Sequence, residues 1–183
     1  DAGGDKDRHS LDPSSEFYAP NEDVAPDGTS FAQFDYLYDI DITNNLITDY
    51  GNDIFNAVGV GAGYTADIRI THNTITDGTH GGIPLGWGFT NEPTIQQNNH
   101  IDYNYISNVF QTGDDGGAIY VKSRNDSSTV RGNYITDVKI SDRVQSYTYS
   151  QAPWALIGVY IDQGGSYWEV SGNVIDMDAN GSS

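Results

Sequence analysis

One short pattern recurs five times and limits what this chain can fold into. It is a β-branched aliphatic, two residues, Asn, one residue, Ile, as in Val130-Arg131-Gly132-Asn133-Tyr134-Ile135. The Asn positions are 45, 73, 104, 133 and 173, so the steps are 28, 31, 29 and 40 residues. A period in this range marks a stacked repeat, in which each unit buries its apolar face only against its neighbours. Each unit reads as two short strands with a turn at the Asn. A further strand set lies about a dozen residues upstream, at Val58–Gly61, Ile83–Gly86, Ile119–Val121 and Val159–Ile161. Alternating apolar residues punctuated by Gly and Asn fit a parallel solenoid better than hairpins. Stacked Asn amides can hydrogen-bond from repeat to repeat, which predicts an asparagine ladder. Asn also tolerates the left-handed backbone that a sharp corner needs.

The spacing predicts a register. Thirteen residues separate Val60 from Asn73, Tyr120 from Asn133 and Tyr160 from Asn173. Val60, Tyr120 and Tyr160 should therefore be equivalent, and so should Ala62, Lys122 and Asp162. Leu85 and Trp87 are expected to fill the same two columns. With Ile119, Val121, Val159 and Ile161 inward, the columns face out and stack about 4.8 Å apart. Residues 1–33 carry Pro13, Pro20 and Pro26 and read as an irregular N-terminal arm, with the periodic part at 34–183. The long last step holds an excursion, Val138 to Leu156, whose Tyr147, Tyr149 and Trp154 suggest a binding wall.

Charge narrows the partners. The net charge is −18, with 22 Asp and only 8 Lys plus Arg. Such a surface cannot neutralise a run of phosphates, so nucleic acid and anionic membrane are excluded as partners. There is no Cys and no metal-ligand spacing of His, so no resident metal or other cofactor is expected; calcium on Asp114, Asp115 or Asp162 is the one option kept open. The longest apolar runs are too short to span a bilayer. The final repeat has no polar cap, and bare strand edges invite pairing. Further coils of the same protein, or another chain, are therefore expected to cover that end.

Four segments carry a resemblance: His72-Asn73-Thr74-Ile75, Gly82-Ile83-Pro84-Leu85-Gly86-Trp87-Gly88, Asp115-Gly116-Gly117-Ala118-Ile119-Tyr120 and Val159-Tyr160-Ile161-Asp162-Gln163-Gly164. Together they resemble right-handed parallel β-helix proteins, and more narrowly the secreted bacterial β-helix glycoside hydrolases. The resemblance implies an all-β solenoid of about five to six coils, secreted or at the cell surface, that hydrolyses a poly- or oligosaccharide. It implies two carboxylates on one face, Asp115 and Asp162, with Asp114 beside the first. Glycoside cleavage needs one carboxyl to protonate the leaving oxygen and another to attack or to activate water, about 5 Å apart for retention or about 6.5–9.5 Å for inversion. Lys122 beside Asp162 would keep that carboxylate ionised, as base or nucleophile; Asp115, next to Asp114, would be the acid. Trp87, Tyr120, Tyr160 and Trp154 are candidates to stack on sugar faces, and His80 lies close to Trp87 in sequence. Asp115 stands outside the thirteen-residue register and reaches Asp162 only if Gly116-Gly117 turn the chain. A calcium-assisted polysaccharide lyase and a non-catalytic glycan-binding or structural solenoid are the alternatives.

Overall fold

The computed structural model describes residues 37–112, 116–138 and 157–176. The N-terminal arm, Asp114, Asp115, Trp154 and nearly all of the Val138–Leu156 excursion lie outside these residues. Among the described residues every element is a strand: β1 (Leu37–Thr43), β2 (Leu46–Thr48), β3 (Thr65–Thr71), β4 (Thr74–Thr76), β5 (Ile83–Leu85), β6 (His100–Asp102), β7 (Tyr105–Val109), β8 (Gly117–Arg131), β9 (Tyr134–Val138), β10 (Ile157–Ser171) and β11 (Val174–Asp176). All pairings between them are parallel, in two sheets. The first runs β1-β3-β6-β8-β10, with β5 also on β8, and the second runs β11-β9-β7-β4-β2. The chain is thus all-β with solenoid-like stacking of parallel strands.

The repeated aliphatics explain the stacking. Ile42, Ile70, Ile101, Val130 and Val170 pair in register in the first sheet, and Ile47, Ile75, Ile106, Ile135 and Ile175 in the second. The middle members, Ile70, Ile75, Ile101, Ile106, Val130 and Ile135, are all 0% exposed, each worth about 1.5–3 kcal/mol relative to exposure. Between the columns the asparagine ladder forms as expected. Each Nδ2 donates to the next Oδ1, from Asn45 to Asn73 at 2.9 Å, Asn73 to Asn104 at 3.0 Å, Asn104 to Asn133 at 3.0 Å and Asn133 to Asn173 at 2.9 Å. Each Oδ1 also accepts the backbone N–H of the Asn before it. The left-handed corner, however, belongs to the preceding residue: Asn44, His72, Tyr103, Gly132 and Gly172 have φ of 56 to 65°. A second ladder, with no repeat signature, runs through Asn99, which bonds Asn125 Oδ1 at 2.7 Å and Ser128 Oγ at 2.9 Å.

The register holds for one half of the expected columns. Tyr120 pairs with Tyr160, and Lys122 with Asp162. Leu85 pairs instead with Val121, and Ala62 bridges Leu85. Leu85 is therefore 1% exposed and Val60 8% exposed, both in the core rather than on the outer strip. The count back from Asn133 is one residue longer than that from Asn73, and in a strand a one-residue slip reverses the face.

Candidate functional site

The site grows from the first half of β8 and its neighbour β10. Ile119 and Val121 are fully buried, so Tyr120 and Lys122, alternating with them, point outward. On β10 the same alternation presents Tyr160 and Asp162. Because the strands pair in register, like residues lie side by side. The Tyr120 and Tyr160 rings stack with centroids 5.0 Å apart and 11° between planes. The Tyr120 hydroxyl crosses the same gap and donates to Asp162 Oδ2 at 2.7 Å. A short bond of this kind restricts the rotamers of the carboxylate.

Lys122 closes the other side. Its Nζ lies 4.3 Å from the Tyr120 ring centroid, 4.9 Å from that of Phe89 and 5.4 Å from that of Trp87. Ammonium over ring faces is held by the ring quadrupole, at about 0.5–2 kcal/mol per contact. Trp87 and Phe89 pack together at 5.0 Å, so three aromatic side chains gather round one cation. The segment that delivers them bends at Gly86 and Gly88, with φ of +99 and +93°. The Trp87 backbone is pinned by Gln96, whose Oε1 accepts its N–H at 2.9 Å and whose Nε2 donates to its carbonyl at 2.7 Å.

Of the residues expected from sequence, Trp87, Tyr120, Lys122, Tyr160 and Asp162 come together. Asp114, Asp115 and Trp154 lie outside the described residues. Gly116, directly after Asp115, has φ +143°, a conformation that residues with a side chain rarely adopt. His80 does not join the strip, since it packs on buried Phe110 at 4.6 Å. Its carbonyl and that of Gly81 accept from Tyr50, at 3.4 and 3.2 Å. Burial, with the Asp77 charge adding to it, pushes that phenol well above its ordinary range. Phe89 was not foreseen; its place two residues after Trp87 was the available signal.

A second polar group lies on the outer side of the first sheet. Buried Asp102 receives Thr129 Oγ1 at 2.8 Å and Arg131 Nη2 at 3.0 Å. His100 bridges Thr129 Oγ1 at 2.8 Å and Asn98 Oδ1 at 2.9 Å, and Asn98 donates on to Asp67. Among the described residues no three His, Asp or Glu side chains converge as a metal site. No helix among them is long and apolar enough to cross a membrane.

No family model matches this chain, and no curated protein does. A solved structure titled glycoside hydrolase superposes on 77% of the chain with a TM-score of 0.60 and 25% sequence identity. This likeness supports a glycoside hydrolase-like fold, and the chain spans 25% of that protein's length.

Proposed function

We propose that the chain is a right-handed parallel β-helix of about five to six coils that hydrolyses glycosidic bonds in a neutral or mildly charged poly- or oligosaccharide outside the cell. The observation that carries the reading is Asp162 held by the Tyr120 hydroxyl within an outward aromatic strip of Tyr120, Tyr160, Trp87 and Phe89. Aromatic rings suit the C–H faces of sugars, and the carboxylate is one of the two that glycoside cleavage requires. In this reading Asp162 is the base or nucleophile, with Lys122 its register neighbour on the same face. Asp115, next to Asp114 in sequence, is the acid. Trp154 adds a further stacking surface.

The test is turnover of Asp162→Asn and Asp115→Asn on a panel of glycans. Loss of at least a hundredfold in each is expected, in line with general acid–base catalysis. Unchanged turnover in Asp162→Asn would remove it from catalysis, and a carboxyl separation above about 12 Å would exceed what either mechanism uses. A calcium-assisted lyase is the second reading, favoured by the Lys122 ammonium in register with Asp162. It would yield an unsaturated product visible by ultraviolet absorbance and lose activity with a chelator. A non-catalytic solenoid would bind glycans and turn over none of them.

We also propose that further in-phase coils, or another chain, cover β10 and β11. Ile161, Val170 and Ile175 are 42–45% exposed, whereas their register partners Val121, Val130 and Ile135 are fully buried. A crystal structure with this end solvent-exposed and unpaired would refute that.

A further inference from the structure

The turn that carries the asparagine ladder bears a second set of aromatic rings, at the opposite end of β8 from Tyr120. The residues on either side of each inward ladder Asn face outward. Around Asn104 they are Tyr103 and Tyr105, 50% and 38% exposed, and after Asn133 comes Tyr134, 44% exposed. Tyr105 and Tyr134 pair in register, with centroids 5.6 Å apart and 33° between planes. Tyr103 stacks on His72 of the preceding repeat at 5.3 Å. Its other neighbour is Gly132, where an added Cβ would meet the ring at 2.6 Å. The ring thus occupies the space that the missing side chain leaves.

Two observations indicate that these rings are there to be exposed. Tyr103 has φ 58°, a left-handed backbone that a bulky residue adopts only at a cost. Equivalent positions hold Asn44, His72, Gly132 and Gly172, and all but His72 are residues that adopt it readily. A tyrosine there gains nothing for the corner and buries only half of its surface. Tyr105 and Tyr134 belong to a line of side chains that runs in register from Thr74 to Val174, whereas a stable protein interface spreads over about 800 Å² per partner. A linear chain fits it better than a folded partner does. The charge beside the rings is balanced, because Arg131 lies 5.8 Å from the Tyr103 ring and bonds Asp102 at 3.0 Å. With a net charge of −18, polyanions are repelled.

We propose that Tyr103, Tyr105 and Tyr134 form a binding platform for a neutral polysaccharide chain, separate from the Tyr120–Asp162 site. The rings of successive repeats would stack on successive sugars. The ligand class follows the hydrolase reading, but the binding does not require that hydrolysis occurs.

The experiment is affinity electrophoresis of the whole chain in native gels cast with a soluble glucan, xylan, galactan or mannan. It compares wild type with Tyr103→Ala/Tyr105→Ala/Tyr134→Ala and with Tyr120→Ala/Tyr160→Ala. The platform variant should bind about tenfold more weakly or worse, and still cleave short oligosaccharides at the wild-type rate. The Tyr120/Tyr160 variant should lose cleavage and keep more of its retardation than the platform variant does. If the triple variant is poorly folded by circular dichroism, Tyr134→Ala alone should bind about threefold more weakly. The proposal is overturned if no polysaccharide retards wild type, or if the platform variant is retarded equally. It is also overturned if sedimentation shows a dimer that the platform variant abolishes, which would assign the face to a second copy. If retardation depends on the platform and no glycan is cleaved, the platform stands and the hydrolase reading fails.

Discussion

Asn104→Ala isolates the energetic role of the ladder. In the native chain Asn104 Oδ1 accepts the Asn73 backbone N–H at 2.9 Å and Asn73 Nδ2 at 3.0 Å. Its Nδ2 donates to the Ile70 carbonyl at 2.8 Å and to Asn133 Oδ1 at 3.0 Å. Two of the four partners keep another bond: Asn73 Nδ2 still reaches the Ile42 carbonyl, and Asn133 Oδ1 still accepts the Asn104 N–H. The Asn73 N–H and the Ile70 carbonyl lose the amide they faced. Asn104 is 1% exposed, so water does not readily replace it. At about 1–3 kcal/mol for each stranded group, the loss is about 2–6 kcal/mol. Asn45→Ala is the control, because Asn45 is exposed and donates only to Thr43 O and Asn73 Oδ1. Water can take over there, and about 0.5–1 kcal/mol is expected. Urea denaturation followed by circular dichroism measures both. An Asn104→Ala midpoint shift no larger than that of Asn45→Ala would refute the ladder as a stabilising element. So would additivity of Asn73→Ala and Asn104→Ala to within about 0.5 kcal/mol, since coupled neighbours should not add.

Other perturbations test other parts of the structure. Asn104→Asp keeps the accepting oxygen but sets a carboxylate against the Ile70 carbonyl and Asn133 Oδ1, two acceptors; its folded-state pKa should rise, so this variant should regain stability as pH is lowered, seen as a melting temperature that climbs towards about pH 5 while wild type does not. Gly86→Ala combines φ +99° with a Cβ 2.1 Å from the Lys122 carbonyl. It should cost about 3 kcal/mol or more and displace Lys122 from its rings, whereas Gly61→Ala, whose nearest contact is Val58 Cγ2 at 3.2 Å, should cost far less; equal melting temperatures would sink the packing argument. At the surface, the hydrogen bond from Arg69 holds the Asp41 carboxyl below its usual range. A depressed carboxyl stabilises the fold above its unfolded pKa and loses that contribution as pH falls through the folded one. Arg69→Gln should therefore lower the melting temperature slightly at pH 7 and leave it unchanged at about pH 2, which flattens the acid limb of the profile.

Much of the fold was legible because its interactions repeat in phase. A buried amide must find partners, and the same aliphatic–Asn–Ile spacing five times over supplies them only if the repeats stack in parallel. The pairing of Tyr120 with Tyr160 and of Lys122 with Asp162 followed from the same count. Where a repeat departs from the common length, counting failed. Val60 went into the core because one extra residue lies between its equivalent on β8 and the ladder turn, and Leu85 because its own coil is longer, 19 residues to Asn104 against 12 from its partner Val121 to Asn133. Phe89 reached Lys122 through bends at Gly86 and Gly88 that no periodicity describes. The Asn99 ladder escaped notice because its partners, Asn125 and Ser128, do not repeat.

The sequence by itself determined the class of structure: short parallel strands, a column of inward Asn, and an acidic surface unfit for polyanions. These follow from residue types and spacing, which act over a few residues or recur in register. Only the tertiary structure decided which aromatic rings face out together, that the Tyr120 hydroxyl grips Asp162, and that Tyr103, Tyr105 and Tyr134 line the ladder turn. The repeat that organises the core therefore also places a second aromatic surface beside it. Such neighbours lie a full repeat apart along the chain. Whether two side chains meet across that distance depends on one-residue offsets and backbone bends, and these are settled only when the repeats pack.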